Sequence, residues 1–245
     1  MAYKTGNPTL NQKTFDGITA DPVDPMTLDG VAGKSLILLL LCILSGAFGW
    51  RLAAENYQYI WPLVIGALVV ALIIAFITVV KMPLAPKTAP LYALFEGFAL
   101  GAISQLFNAQ YDGIVVQALL LTGGIFFAML MIYRLRLIQA TKNFQLAVAA
   151  ATFGVFLYYL ANFALSFFGI DLPLINSNSN FGIAFTAAVV ILAALNLVMD
   201  FDFIEVGVEK KAPKYMEWYA GFGLLVTIVW LYIELLRLLS KIRSR

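Results

Sequence analysis

IWPLVIGALVVALIIAFITVV, residues 60 to 80, runs for 21 positions without a charge. At a rise of 1.5 Å per residue such a run makes a helix about 30 Å long, the thickness of a bilayer's hydrocarbon core. Tyr57, Tyr59 and Trp61 cluster where it begins and Lys81 ends it, the aromatic and basic flanks of a membrane interface. Residues 60 to 80 therefore read as a transmembrane helix.

Working outward, the same reading applies six more times. Residues 35–50 form an apolar run between Lys34 and Arg51, and residues 91–107 form another with Glu96 inside it. The intervening KMPLAPKTAP carries Pro83, Pro86 and Pro90, so the third crossing is expected to start near Leu91, with no helix passing through the prolines. Residues 114–133 stop at Arg134 and Arg136. Residues 144–170 have Asn162 as their main polar interruption, and DLPLINSNSN, 171–180, reads as a solvated turn. Residues 181–199 and 218–239 complete the set. Before them stands a polar tail, 1–34, with Asn7-Pro8, Asp21-Pro22 and Asp24-Pro25; after them comes a basic tail, 240–245. With 62% hydrophobic and 12% charged residues, the chain reads as an all-α membrane protein, one seven-transmembrane-helix bundle with no room for a large soluble domain.

Charge sets the orientation. A cytoplasmic N-terminus places 11 lysines and arginines inside and Arg51 alone among the outside loops. The tail residues Arg237, Lys241, Arg243 and Arg245 dissent, as they fall outside. The net charge of +2 is spread over helix ends, which gives no nucleic-acid partner; the bilayer is the partner composition demands.

Two counts exclude chemistry. Cys42 is the single cysteine and lies in an apolar run, so there is no intramolecular disulfide and no thiolate cluster. There is no histidine, which removes Ser-His and Cys-His hydrolases, His-ligated zinc and haem, and imidazole switches. The chain reads as a non-enzyme without a resident cofactor. Carboxylate, amide and hydroxyl oxygens remain, a ligand set for protons or a hard cation such as calcium, bound transiently.

The acids are therefore the candidates. LNLVMDFDFIE, residues 195–205, ends the sixth crossing with Asp200, Asp202 and Glu205 while its helical pattern still runs. Asn196 and Asp200, four apart, share a face; Asp202 lies about 200° away and nearer in phase to Glu205. Asn196 sits deeper and needs a polar partner, so its face is taken as the interior and Asp200 as the principal site, with Asp202 and Glu205 as solvated neighbours of Lys210 and Lys211. In the adopted orientation Glu96 lies about 9 Å below the start of its helix, on the side of Asp200 and Glu217. Asp200, Glu96, Glu217 and Asn196 thus form the expected proton and ion site, with Asp200 and Glu96 as transient calcium ligands. Glu217 also suits the positive end of its helix, and Glu234 is neutralised by Arg237 at i+3. Gly97 and Gly101 form a GxxxG spacing that lets a neighbouring helix approach.

Four stretches carry a resemblance: NPTLNQKTF (7–15), PLYALFEGFALGAIS (90–104), LNLVMDFDFIE (195–205) and APKYMEWYAGFGLLVTIVWLYIELLRLLS (212–240). Together they resemble the bacterial branch of the transmembrane Bax inhibitor motif family, across nearly the whole chain. The resemblance implies seven helices in a bacterial inner membrane and a pH-sensitive calcium leak, with an acidic pair between the sixth and seventh helices as proton sensor. Asp200, opening D-x-x-x-I with Ile204, matches one member, and Glu96-Gly97 matches the family's EG pattern. The second member is missing. Aligned on the LLR ending, Thr227 stands in its place, and no acid lies between Glu217 and Glu234. Either Glu217 or Glu96 partners Asp200, or this branch is gated differently.

A carboxylate pair has a clear physical use. Two carboxylates about 4 Å apart repel by roughly 4 kcal/mol at an effective dielectric of 20, so one of them titrates near neutrality: the pair shares a proton at lower pH and takes up a divalent cation once deprotonated. The other function class is a non-conducting membrane protein that modulates a membrane protease or another membrane complex, with the acids serving assembly.

Overall fold

The computed structural model describes residues 20–21, 23–56, 59–166, 168–169 and 177–244. The described residues fold into helices α1 (Leu28–Glu55), α2 (Ile60–Val80), α3 (Ala85–Gln110), α4 (Ile114–Arg134), α5 (Lys142–Ser166), α6 (Asn180–Glu209) and α7 (Met216–Arg243), with a 3-10 turn at Met82–Leu84. All seven are long and apolar enough to cross a membrane. Most of the polar N-terminal tail, Tyr57, most of the 171–180 turn and Arg245 lie outside the described residues.

The helices outrun the apolar segments. α1 starts at Leu28 because Thr27 caps it, its hydroxyl accepting from the Gly30 N–H at 3.0 Å, with Asp29 in the first turn. α6 continues ten residues past Met199, through all three acids, to Glu209. It ends with Lys211 in the left-handed region (φ 51°), where the Ala212 N–H reaches back to the Gly207 carbonyl at 3.0 Å.

One expectation is corrected. α3 does not wait for Leu91; it begins at Ala85 and carries Pro90 inside. Pro86 occupies the first turn, where a backbone N–H has no helical partner and its loss costs little. Pro90 forfeits only the bond to the carbonyl of residue 86. The Thr78 hydroxyl, 2.7 Å from that of Thr88, ties the end of α2 to this early start, and Ala85 and Ala89 are fully buried.

The described residues divide into two compact units, whose boundary falls within α6 and α7: those up to Val115 with Phe203–Val226, and those of Val116–Asp202 with those from Thr227 onward. In the first unit, α3 packs on α1 and α2 around Ala53, Ile60, Val64, Ala67, Ala99 and Ala102. The α1–α3 crossing is made of backbone. A methyl at Gly101 would strike the Gly46 carbonyl, one at Gly49 the Phe98 carbonyl, and one at Gly97 would lie 2.7 Å from the Cys42 Cα. The GxxxG spacing of α3 is thus matched by Gly46 and Gly49 on α1. In the second unit, Val148 of α5 packs with Leu192 and Met199 of α6, flanked by Val155, Leu195 and Trp230. The Phe201 ring lies 5.7 Å from Phe126 and 5.8 Å from Tyr133.

Candidate ion site

In the second unit α6 buries Thr186, Asn196 and Asp200. Asp200 is 0% exposed, Asn196 1%, and Thr227 of α7 3%. Asn196 and Asp200 share the interior face that helical phase assigns to them. The Asn196 amide donates to the Thr152 hydroxyl on α5 at 2.9 Å and to the Leu192 carbonyl at 2.9 Å. Asp202 departs from expectation: it is half-buried and accepts from the Gln145 amide of α5 at 3.2 Å, so α5 reaches Asp202 as well as Asn196. Glu205 is half-buried as well.

Gln145 and Thr152 form two rungs with Asp202 and Asn196, seven residues apart on α5 and six on α6, the register of antiparallel neighbours. Each rung leaves one buried amide oxygen, Gln145 Oε1 and Asn196 Oδ1, with no donor among the described residues. Burying such an oxygen without a donor costs on the order of 1–3 kcal/mol. Between the rungs lie Val148 and Met199, both buried.

A third rung follows one heptad further along α5. The Tyr159 hydroxyl donates to Glu234 of α7, 3.0 Å from both carboxylate oxygens. Arg237 pairs with the same carboxylate at 3.2 Å, its guanidinium 5.1 Å over the Tyr159 ring. Glu234 is buried and already neutralised. None of the three α5 residues was singled out from sequence. Their signal is the spacing 145, 152, 159, a polar stripe with Val148 and Val155 between its members and lipid-exposed Phe153, Phe156 and Leu160 around it.

Glu96 and Glu217 belong to the first unit. Glu217, fully buried at the start of α7, accepts from the Thr27 N–H and hydroxyl at 2.9 Å each, from Lys34, and from Lys214 at 3.2 Å. Its carboxylate fills the space a methyl would need at Gly30. The hydrogen bond to Glu217 holds the Lys214 ammonium above the usual lysine range, and Lys214 also reaches Asp24 at 3.5 Å. Nearby, the Met26 N–H donates to the Ala212 carbonyl at 2.6 Å, that of Asp21 to Lys211 at 3.0 Å, and Pro25 bridges Pro213. The segment leading into α1 is thereby docked on the α6–α7 connection, with Glu217 as its clamp. Glu96 is half-buried on α3, close enough to Cys42 and Tyr92 to act on both electrostatically; the Tyr92 ring meets Phe222 edge-on at 4.9 Å. Among the described residues no three carboxylates or thiols gather as a metal cluster.

Residues 7–244 match a family model described as Bax inhibitor 1 like. No curated protein and no solved structure shows a match to the chain.

Proposed function

From the premise that this chain belongs to the Bax inhibitor 1 like family, we propose that it is a pH-sensitive calcium or cation leak channel of a bacterial inner membrane, N-terminus cytoplasmic, gated by protonation of membrane-embedded carboxylates. The observation that carries the reading is Asp200, wholly buried one helical turn from wholly buried Asn196 on a membrane-crossing helix. An ionisable group is kept at such a place at a cost that packing alone does not require. Protonation removes its charge and changes which partners it can hold, biasing the packing of α6 and α7; the ionised form attracts a cation.

Glu217 supports the reading in a different role. With Lys34, Lys214 and Thr27 on its oxygens it anchors the start of α7, leaving Asp200 as the acid of the switch. The test is calcium release from loaded liposomes containing the purified chain. Wild type conducts with a pH-dependent rate, and Asp200→Asn gives a rate flat with pH. An Asp200→Asn protein with unchanged flux and unchanged pH response overturns the gating, and silence of the wild type together with co-purification of a membrane complex favours the non-conducting interaction protein.

A further inference from the structure

The α5 stripe offers more than helix adhesion. Gln145, Thr152 and Tyr159 recur every seven residues, drift by only about 20° per step, and together span roughly 21 Å of helix, most of a hydrocarbon core about 30 Å thick. Each meets a polar side chain of α6 or α7: Asp202, Asn196 and Glu234 in turn. Two of the three rungs hold a buried amide oxygen that no described donor reaches. An amide that donates through its nitrogen and keeps its oxygen unsatisfied, beside a hydroxyl and a carboxylate, presents the ligand chemistry of a hard cation. Val148 and Met199 form a packed apolar layer between the first two rungs, separating their oxygens. At the third rung Arg237 already occupies Glu234 as its counter-cation.

We propose that the seam of α5 against α6 and α7 is a path for a hard cation, in which Gln145 Oε1 and Asn196 Oδ1 are coordinating stations on either side of the Val148–Met199 layer and Arg237 is the positive barrier at the far end. The inference deepens the leak-channel reading by naming a route and rests on that reading only for net flow. Occupancy of the stations is independent of flow.

The experiment reads both. In a Cys42→Ser background, Val148→Cys is reconstituted in liposomes and treated with a small cationic methanethiosulfonate. The Val148→Cys thiol is expected to be labelled, and millimolar calcium to slow labelling at least threefold; adding Asn196→Leu removes the calcium effect. Phe153→Cys, 61% exposed to the lipid side, stays unlabelled and controls for general access. In parallel, Gln145→Leu and Asn196→Leu lower calcium flux about tenfold and Arg237→Gln raises it. No labelling of Val148→Cys, or labelling at the same rate with and without calcium, overturns the seam as a cation site. Calcium-sensitive labelling with no flux from the wild type keeps the site and removes the leak-channel reading. Thr152→Cys, of nearly conserved volume, repeats the labelling test should Val148→Cys fold poorly.

Discussion

Two helix contacts within this protein solve the same problem in opposite ways. α1 meets α3 through Gly46, Gly49, Gly97 and Gly101, backbone against backbone, with no room for an added carbon at Gly49, Gly97 or Gly101. α5 meets α6 and α7 through Gln145, Thr152 and Tyr159, side chain against side chain, with amide oxygens left over. In lipid no hydrophobic drive holds helices together, so adhesion comes from close packing or from polar contacts. The first solution leaves little space for a larger residue at its three tightest glycines. The second consists of hydrogen bonds worth about 0.6 kcal/mol each, weak enough to exchange for another ligand. The difference separates a contact made by close backbone packing from one made by exchangeable hydrogen bonds.

The contrast breaks most readily at the glycines. Gly101→Leu is expected to cost about 3 kcal/mol or more, since the new side chain displaces α1 itself; unfolding of the purified protein in mixed detergent measures it, and near wild-type stability would show that the crossing yields. Glu217→Gln comes next, at about 2 kcal/mol, below the cost of a fully buried pair because Lys34 and Lys214 keep some solvent. It should also speed protease cleavage around residues 20–27, and Gly30→Ala, which pushes on the same carboxylate, should act likewise. The sign with pH follows from Lys214. Because its folded value is raised, its share of the clamp is fully present below the ordinary lysine value of 10.5 and is lost only as pH rises through the raised one. Acidification from pH 9 to neutrality therefore leaves that share intact. At the polar seam, Asn196→Leu should change stability by only about 0.6–1 kcal/mol while its effect on flux is large. A stability loss as great as that of Gly101→Leu would place the seam with the rigid crossing. Arg51→Ala, which removes an exposed pair with Glu55, is expected to change stability by less than about 0.5 kcal/mol and sets the floor of the series.

Which parts were legible beforehand depends on which interaction a residue answers to. The seven crossings, the solvent-free face of Asn196 and Asp200, and the pairing of Glu234 with Arg237 at i+3 are local consequences of chain spacing. The early start of α3 was not legible, because three prolines read as a break until their positions in the helix are known. Glu217 was expected in the ion site or as a helix-dipole acid, and its partner Lys34 is 183 residues away in sequence. The Gln145, Thr152 and Tyr159 spacing was present in the chain but silent, since nothing in it says which side of α5 meets protein.

That silence has a physical origin. A helix in water declares its buried face by apolar periodicity, since the opposite face must be polar. A helix in lipid is apolar on both faces, so periodicity identifies the crossing and not the neighbour. The sequence by itself thus determined that the chain crosses a membrane seven times, which chemistry its residues exclude, and where carboxylates enter the apolar runs. Only the tertiary structure decided which acid is clamped by lysines, which helices meet through glycine, and which face of α5 lines a polar seam, because in a bilayer those choices are made by close packing and by hydrogen bonds between distant segments.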